Sequence, residues 1–125
     1  MSIFSANGFL NALCNNTSFA ITQAYVKLHL GDPGAAGTAN PATETTRKSA
    51  SFGAASGGAI ANDALVTWTS IAGTEDATHF SLWDTVGPSG GNFLGSGTVT
   101  AAGYTAGDTY EVAIGGLTLT MAVAA

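Results

Sequence analysis

Tyr25-Val26-Lys27-Leu28-His29-Leu30-Gly31-Asp32-Pro33-Gly34 is the stretch that sets the fold class. Successive side chains of a strand point to opposite faces, so the alternation of Val26, Leu28 and Leu30 with Tyr25, Lys27 and His29 predicts a strand with one apolar face. Gly31-Asp32-Pro33-Gly34 stops it, because Pro presets φ, Asp bonds its own backbone and Gly accepts the left-handed conformation. Downstream, a loop rich in Gly, Ala, Thr and Pro runs to about Thr45, a weaker strand covers Arg47 to Phe52, and Ala54 to Gly58 reads as flexible. Ala64 to Thr69 (ALVTWT) and Thr78 to Asp84 (THFSLWD) are β-branched and aromatic and predict two strands, candidate neighbours joined by a turn at Gly73-Thr74-Glu75-Asp76. After the turn Gly87-Pro88-Ser89-Gly90-Gly91, Asn92 to Thr100 predicts a strand with a bulge or close packing at Gly95 or Gly97. Beyond a turn at Gly103 to Asp108, Gly115-Gly116 links Thr109 to Ile114 with Leu117 to Met121 as a two-residue hairpin that closes the sheet.

Short strands at near-regular spacing, with no helical pattern between them, predict an all-β fold, an antiparallel β-sandwich or jelly roll. The N-terminal segment differs. Ile3, Phe4, Phe9, Leu10, Leu13 and Cys14 fall near helical spacing, Ser5 offers a cap and Asn15-Asn16 a stop, so residues 1–22 are expected to form a short helix or an extended arm. Residues 23–125 are expected to form the β-sandwich domain.

Composition then narrows function. Lys and Arg number 3 and Asp and Glu 8, together 9% of 125 residues, where soluble domains average ~25%. With so few titratable groups, acid–base catalysis, metal chelation and nucleic-acid binding are all poorly supplied. Lys27, Arg47 and Lys48 cannot build a phosphate-binding stripe, so no nucleic-acid partner is expected. No apolar run approaches the ~18 residues needed to cross a bilayer, and the N-terminus lacks the basic region of a secretory signal, so a soluble chain without a membrane partner is expected. Without that signal, the sequons at Asn15 and Asn16 read as chance. Cys14 is the single cysteine, which excludes an intrachain disulfide and Cys-based zinc sites.

No chemistry-bearing motif replaces the missing charge. His29 and His79 have no recognisable nucleophile motif beside them, and no G-x-S-x-G, H-x-H or H-E-x-x-H occurs. Glu75-Asp76 is the one adjacent carboxylate pair, read as solvated turn residues rather than as a glycosidase pair. No enzyme activity, metal or cofactor is expected. Trp68 and Trp83 could stack on sugar rings in a carbohydrate-binding module, but their apolar flanks favour core packing.

The strings YVKLHLGDPGAAGTAN (Tyr25 to Asn40), SFGAASGGAI (Ser51 to Ile60), THFSLWD (Thr78 to Asp84), NFLGSGTVT (Asn92 to Thr100) and YTAGDTYEVAIGGLTLTM (Tyr104 to Met121) together resemble small virion proteins of tailed phages infecting actinobacteria, labelled as tail-fibre or head-decoration proteins. The resemblance covers nearly all of the β region. It implies a structural virion component with no catalytic residues to carry over. Fibres are typically long, repetitive or coiled-coil, and this short chain shows neither heptads nor fibrous repeats. A head-decoration protein on the capsid surface, bound to the major capsid protein as a homo-oligomer, most simply a trimer, is therefore the leading expectation. A tail-associated fibre or tip subunit is second. The expected partner contacts are Phe4, Phe9, Leu10 and Leu13, since large apolar side chains each contribute ~1.5–3 kcal/mol when buried and are too many for an idle tail; a helix folded back on its own sandwich is the alternative.

Overall fold

The computed structural model describes residues 1–124; Ala125, the last residue of the expected β domain, lies outside the described residues. In chain order the elements are α1 (Ile3–Cys14), β1 (Ala24–His29), β2 (Lys48–Ala50), β3 (Ala59–Ala61), β4 (Val66–Trp68), β5 (Glu75–Trp83), β6 (Phe93–Tyr104), β7 (Tyr110–Val112) and β8 (Thr118–Thr120). The expected all-β sandwich is found, with a helix rather than an extended arm at its N-terminus. An antiparallel four-stranded sheet runs β2-β1-β5-β6 and is faced by two short antiparallel ladders, β3-β8 and β4-β7.

The core lies between these layers. Val26 and Leu28 from β1 and Phe80 and Leu82 from β5 meet Val66, Trp68, Tyr110, Val112 and Leu117 from the opposite side. Leu28 pairs with Phe80 and Val26 with Leu82 across the β1–β5 register, so the alternation seen in the sequence becomes one continuous apolar face. Leu30, expected on that face, is instead exposed, because the strand ends at His29 and Leu30 already belongs to the turn.

The second face of the sheet is covered in part, around His29, Ser81 and Trp83. The loop after β1 folds back over it, Leu30 N–H donating to Asn40 O and Ala39 N–H to Pro33 O, so that Pro33 and Gly37 are buried. A side chain at Gly37 would collide with the ring of Phe93, and the residue sits at φ +75°, so Gly is required twice over.

Several expectations fail for identifiable reasons. The Gly115-Gly116 hairpin does not form: β7 pairs with β4, and β8 pairs with β3, a strand within a region expected to follow a flexible loop. Asn62 occupies the gap where that hairpin's ladder would have closed. Its N–H donates to Leu117 O, its carbonyl accepts from Gly115 N–H, its Oδ1 accepts from Leu117 N–H and its Nδ2 donates to Ala64 O and Ala113 O. Nor are the strands at Val66–Trp68 and Glu75–Trp83 neighbours. Ile71, buried between them, exchanges backbone hydrogen bonds with Gly107 and Asp108 and directs β4 to the other layer. Glu75 and Asp76 open β5 rather than forming a turn.

The glycines of β6 are close-packing sites: a Cβ at Gly95 would lie 2.9 Å from Leu119 and one at Gly97 2.8 Å from Phe80. The register slips beside them. Leu82 faces Gly95 while Trp83 faces Phe93, which leaves Leu94 as an extra residue. That bulge fixes the helix.

Candidate partner-docking face

The helix α1 starts because Ser2, in extended conformation, accepts a hydrogen bond from Ser5 N–H at 3.0 Å. Ser2 therefore caps it, not Ser5. Ser5 is buried and donates its hydroxyl to Leu94 O at 2.8 Å, and Ser2 N–H donates to the same carbonyl at 3.1 Å. The bulge carbonyl of β6 thus receives two donors from the helix N-terminus. Ser5 is the one buried residue of the helix. At the other end Asn15 N–H bonds Asn11 O and Asn16 takes φ +47°, which turns the chain back.

Phe19 returns along the helix and rests on Gly8, where a Cβ would meet the ring at 2.5 Å. Its ring meets Phe4 edge-on at 5.7 Å and Phe9 at 5.4 Å. Beneath lies an apolar groove of about 480 Å³ lined by Met1, Phe9, Phe19, Phe52, Leu94 and Leu119. Phe4 and Phe9 remain 39% and 41% exposed, whereas Leu10 is 60% and Leu13 80% exposed.

The four residues singled out from sequence are all exposed and differ in what they touch. Phe4 and Phe9 flank Phe19, while Leu10 and Leu13 lie on the outer stripe of the helix with Ile3, which is 75% exposed. Ile3, Ala6, Leu10 and Leu13 are spaced by three, four and three residues, the a/d spacing of a helix–helix seam. The sequence reading missed Ile3 and Ala6 in this role, and it took the chain to lack heptads. The three-four-three spacing was the signal, short enough to pass for ordinary amphipathicity.

Several of the titratable residues serve the fold. His29 is fully buried; its Nδ1 lies 2.8 Å from Ala39 O and its Nε2 2.7 Å from Ser81 Oγ, which accepts from Trp83 Nε1–H. Burial, with nearby Lys27 and His79 adding to it, outweighs the backbone hydrogen bonds and holds the imidazole below its ordinary pKa. A serine beside a histidine has the form of an activated nucleophile, but both side chains are sealed from solvent and the second ring nitrogen meets a backbone carbonyl, not a carboxylate.

Glu75 accepts from Thr43 N–H, Thr43 Oγ1 and Tyr104 OH, locking a loop to β5. Burial and the neighbouring Glu75 carboxylate push the Tyr104 phenol well above its ordinary range. At Asp84 burial opposes ionisation, yet hydrogen bonds from the backbone and side chain of Asn92 prevail and lower its pKa. Among the described residues no group of three or more His, Cys, Asp and Glu could hold a metal ion, and no helix is long and apolar enough to cross a membrane. Trp68, 1% exposed, and Trp83, 6% exposed, are core residues, so neither offers a stacking platform for a sugar.

Among the described residues α1 is the element that carries the most exposed large apolar side chains. No curated protein shows a significant match to the chain. A family model described as Podophage GP4 fiber I protein gp80 matches residues 1–120, taking in the helix and every strand. By that match the chain belongs to the gp80 family of phage fibre proteins and is a phage structural protein, a component of the virion.

Proposed function

We propose that the chain is a non-enzymatic building block of a virion fibre, held in place by α1 while the β-sandwich forms the body of the subunit. The observation that carries this reading is the outer stripe of α1. It is built from large apolar residues, has no charge, and lies within the region that matches a fibre family. Its exposure is costly in an isolated subunit and is relieved by assembly. The interior fits a structural role: His29, Ser81, Glu75, Arg47 and Asp84 all bond to other parts of the same chain.

A second reading, a head-decoration protein seated on the major capsid protein, is favoured by the sandwich itself, a single body without fibrous repeats. Gold-labelled antibody against the β domain on purified virions separates the two. Label at the fibres supports the proposal, and label spread evenly over the head replaces it with the decoration reading. Absence of the chain from washed virions, checked by mass spectrometry, would remove both.

A further inference from the structure

We propose that the occupant of the Ile3–Ala6–Leu10–Leu13 seam is α1 of a second copy of this chain, so that subunits associate through their N-terminal helices. This rests on the fibre-subunit reading and deepens it by naming the neighbour.

The spacing comes first. An a/d stripe is what one helix offers to another, because knobs at three- and four-residue intervals fill holes on a facing helix. The chain has no second helix among its described residues to meet it. The inner side of α1 is already committed, through Ser2 and Ser5, to the Leu94 carbonyl, so the seam is held facing away from the sandwich.

Charge then selects the partner. The chain carries no Asp, Glu, Lys or Arg before Lys27, although its net charge is −5. Two copies carry the same net charge, and a contact through α1 sets no acidic or basic side chain of one helix against another. A partner of opposite charge would find nothing on α1 to pair with.

Area is the third argument. Ile3, Leu10 and Leu13 leave on the order of 400 Å² of apolar surface in water, the size of patch that on a monomer is often functional. Two copies facing each other would cover about 800 Å² of it, the scale of a weak contact that repeated subunits reinforce.

The test is the mass of the full chain in solution by size exclusion with light scattering, for wild type, Leu10→Glu and Leu13→Lys, with thermal melts of each. Wild type is expected to run as an oligomer and both variants as monomers with nearly unchanged melting temperature. Leu13 is so exposed that its replacement cannot unfold the subunit, so Leu13→Lys remains informative even if Leu10→Glu aggregates. A wild type that stays monomeric at high micromolar concentration, or a Leu13→Lys oligomer as stable to dilution as wild type, overturns the proposal. If monomeric wild type is still incorporated into virion fibres and Leu13→Lys is not, the seam binds a different virion protein; the fibre reading then survives and this inference does not.

Discussion

At the scale of single residues, the buried polar side chains Ser2, Ser5, His29, Arg47, Asn62 and Ser81 are held by partners elsewhere in the fold. His29 is the clearest case. The neutral ring completes a chain in which Nδ1–H donates to Ala39 O, Nε2 accepts from the Ser81 hydroxyl, and Ser81 Oγ accepts from Trp83 Nε1–H. Protonation would place a second N–H against Ser81, whose oxygen already receives the indole. The folded pKa lies below the ordinary ~6.5, so the unfolded chain takes up the proton first. Stability from this group is therefore complete above about pH 6.5 and is lost as pH falls through that value toward the lowered folded pKa. Melting temperature is expected to decline over this window, before the carboxylates titrate, and His29→Gln should flatten that decline while lowering stability by about 1–3 kcal/mol at neutral pH. An unchanged slope in the variant would assign the pH dependence elsewhere. Arg47 makes a parallel case. It is buried, its Nη1 donates to Thr85 O, Thr85 Oγ1 and Gly90 O, and its guanidinium lies 4.3 Å from the Trp83 ring centroid. Lysine has neither the planar face nor the fork, so Arg47→Lys should cost about 1–3 kcal/mol and alter Trp fluorescence. Equal stability in urea titration would mean that the turn at Gly87 to Gly91 holds without it.

At the scale of elements, Gly8 separates local propensity from packing. Gly in a helix interior is worse than Ala by about 0.8–1.0 kcal/mol, so propensity alone predicts that Gly8→Ala stabilises. The added methyl would instead meet the Phe19 ring at 2.5 Å and break its edge contacts with Phe4 and Phe9. A lower melting temperature is expected for Gly8→Ala; a gain of the full propensity value would show that Phe19 can swing away freely. The same contrast between local and long-range causes explains what the sequence disclosed. The strands at Tyr25, Thr78 and Asn92 were legible because each carries its own alternation or β-branched run and lies in the central sheet. The strands at Val66, Tyr110 and Thr118 were legible as well, but their ladders, Ala59–Ala61 with Thr118–Thr120 and Val66–Trp68 with Tyr110–Val112, were not, since three-residue strands carry too little pattern to reveal a partner some fifty residues away. Gly115-Gly116 misled because a hairpin signal is local, whereas Asn62 reaches it only through the fold. At the docking face, the apolar count of α1 was legible; its division into a Phe19 clamp and an outer seam depended on where Leu94 pins the helix.

At the scale of the whole molecule, two roles for the N-terminal segment compete: a brace for the sandwich, or a handle for assembly. The brace is slight. The segment contributes two buried residues, Ser2 and Ser5, and two bonds to one carbonyl, and most of its large side chains stay in contact with water. The core of Val26, Leu28, Phe80, Leu82, Trp68 and Leu117 is complete without it. Removing Met1 to Asn16 does uncover the groove floor at Phe52, Leu94 and Leu119 and leaves the Leu94 carbonyl to water. Exposing two or three partly covered apolar side chains costs a few kcal/mol at most, at ~1.5–3 kcal/mol for each one fully exposed. A domain of this size loses about 2–8 °C of melting temperature per kcal/mol. The truncated chain is therefore expected to fold, with a cooperative but lowered melt, and to fail to assemble or enter virions. Circular dichroism melts together with virion incorporation check this. A truncated chain without a cooperative melt would make α1 a brace after all, and one that melts lower yet is incorporated at the wild-type level would place the assembly surface on the sandwich.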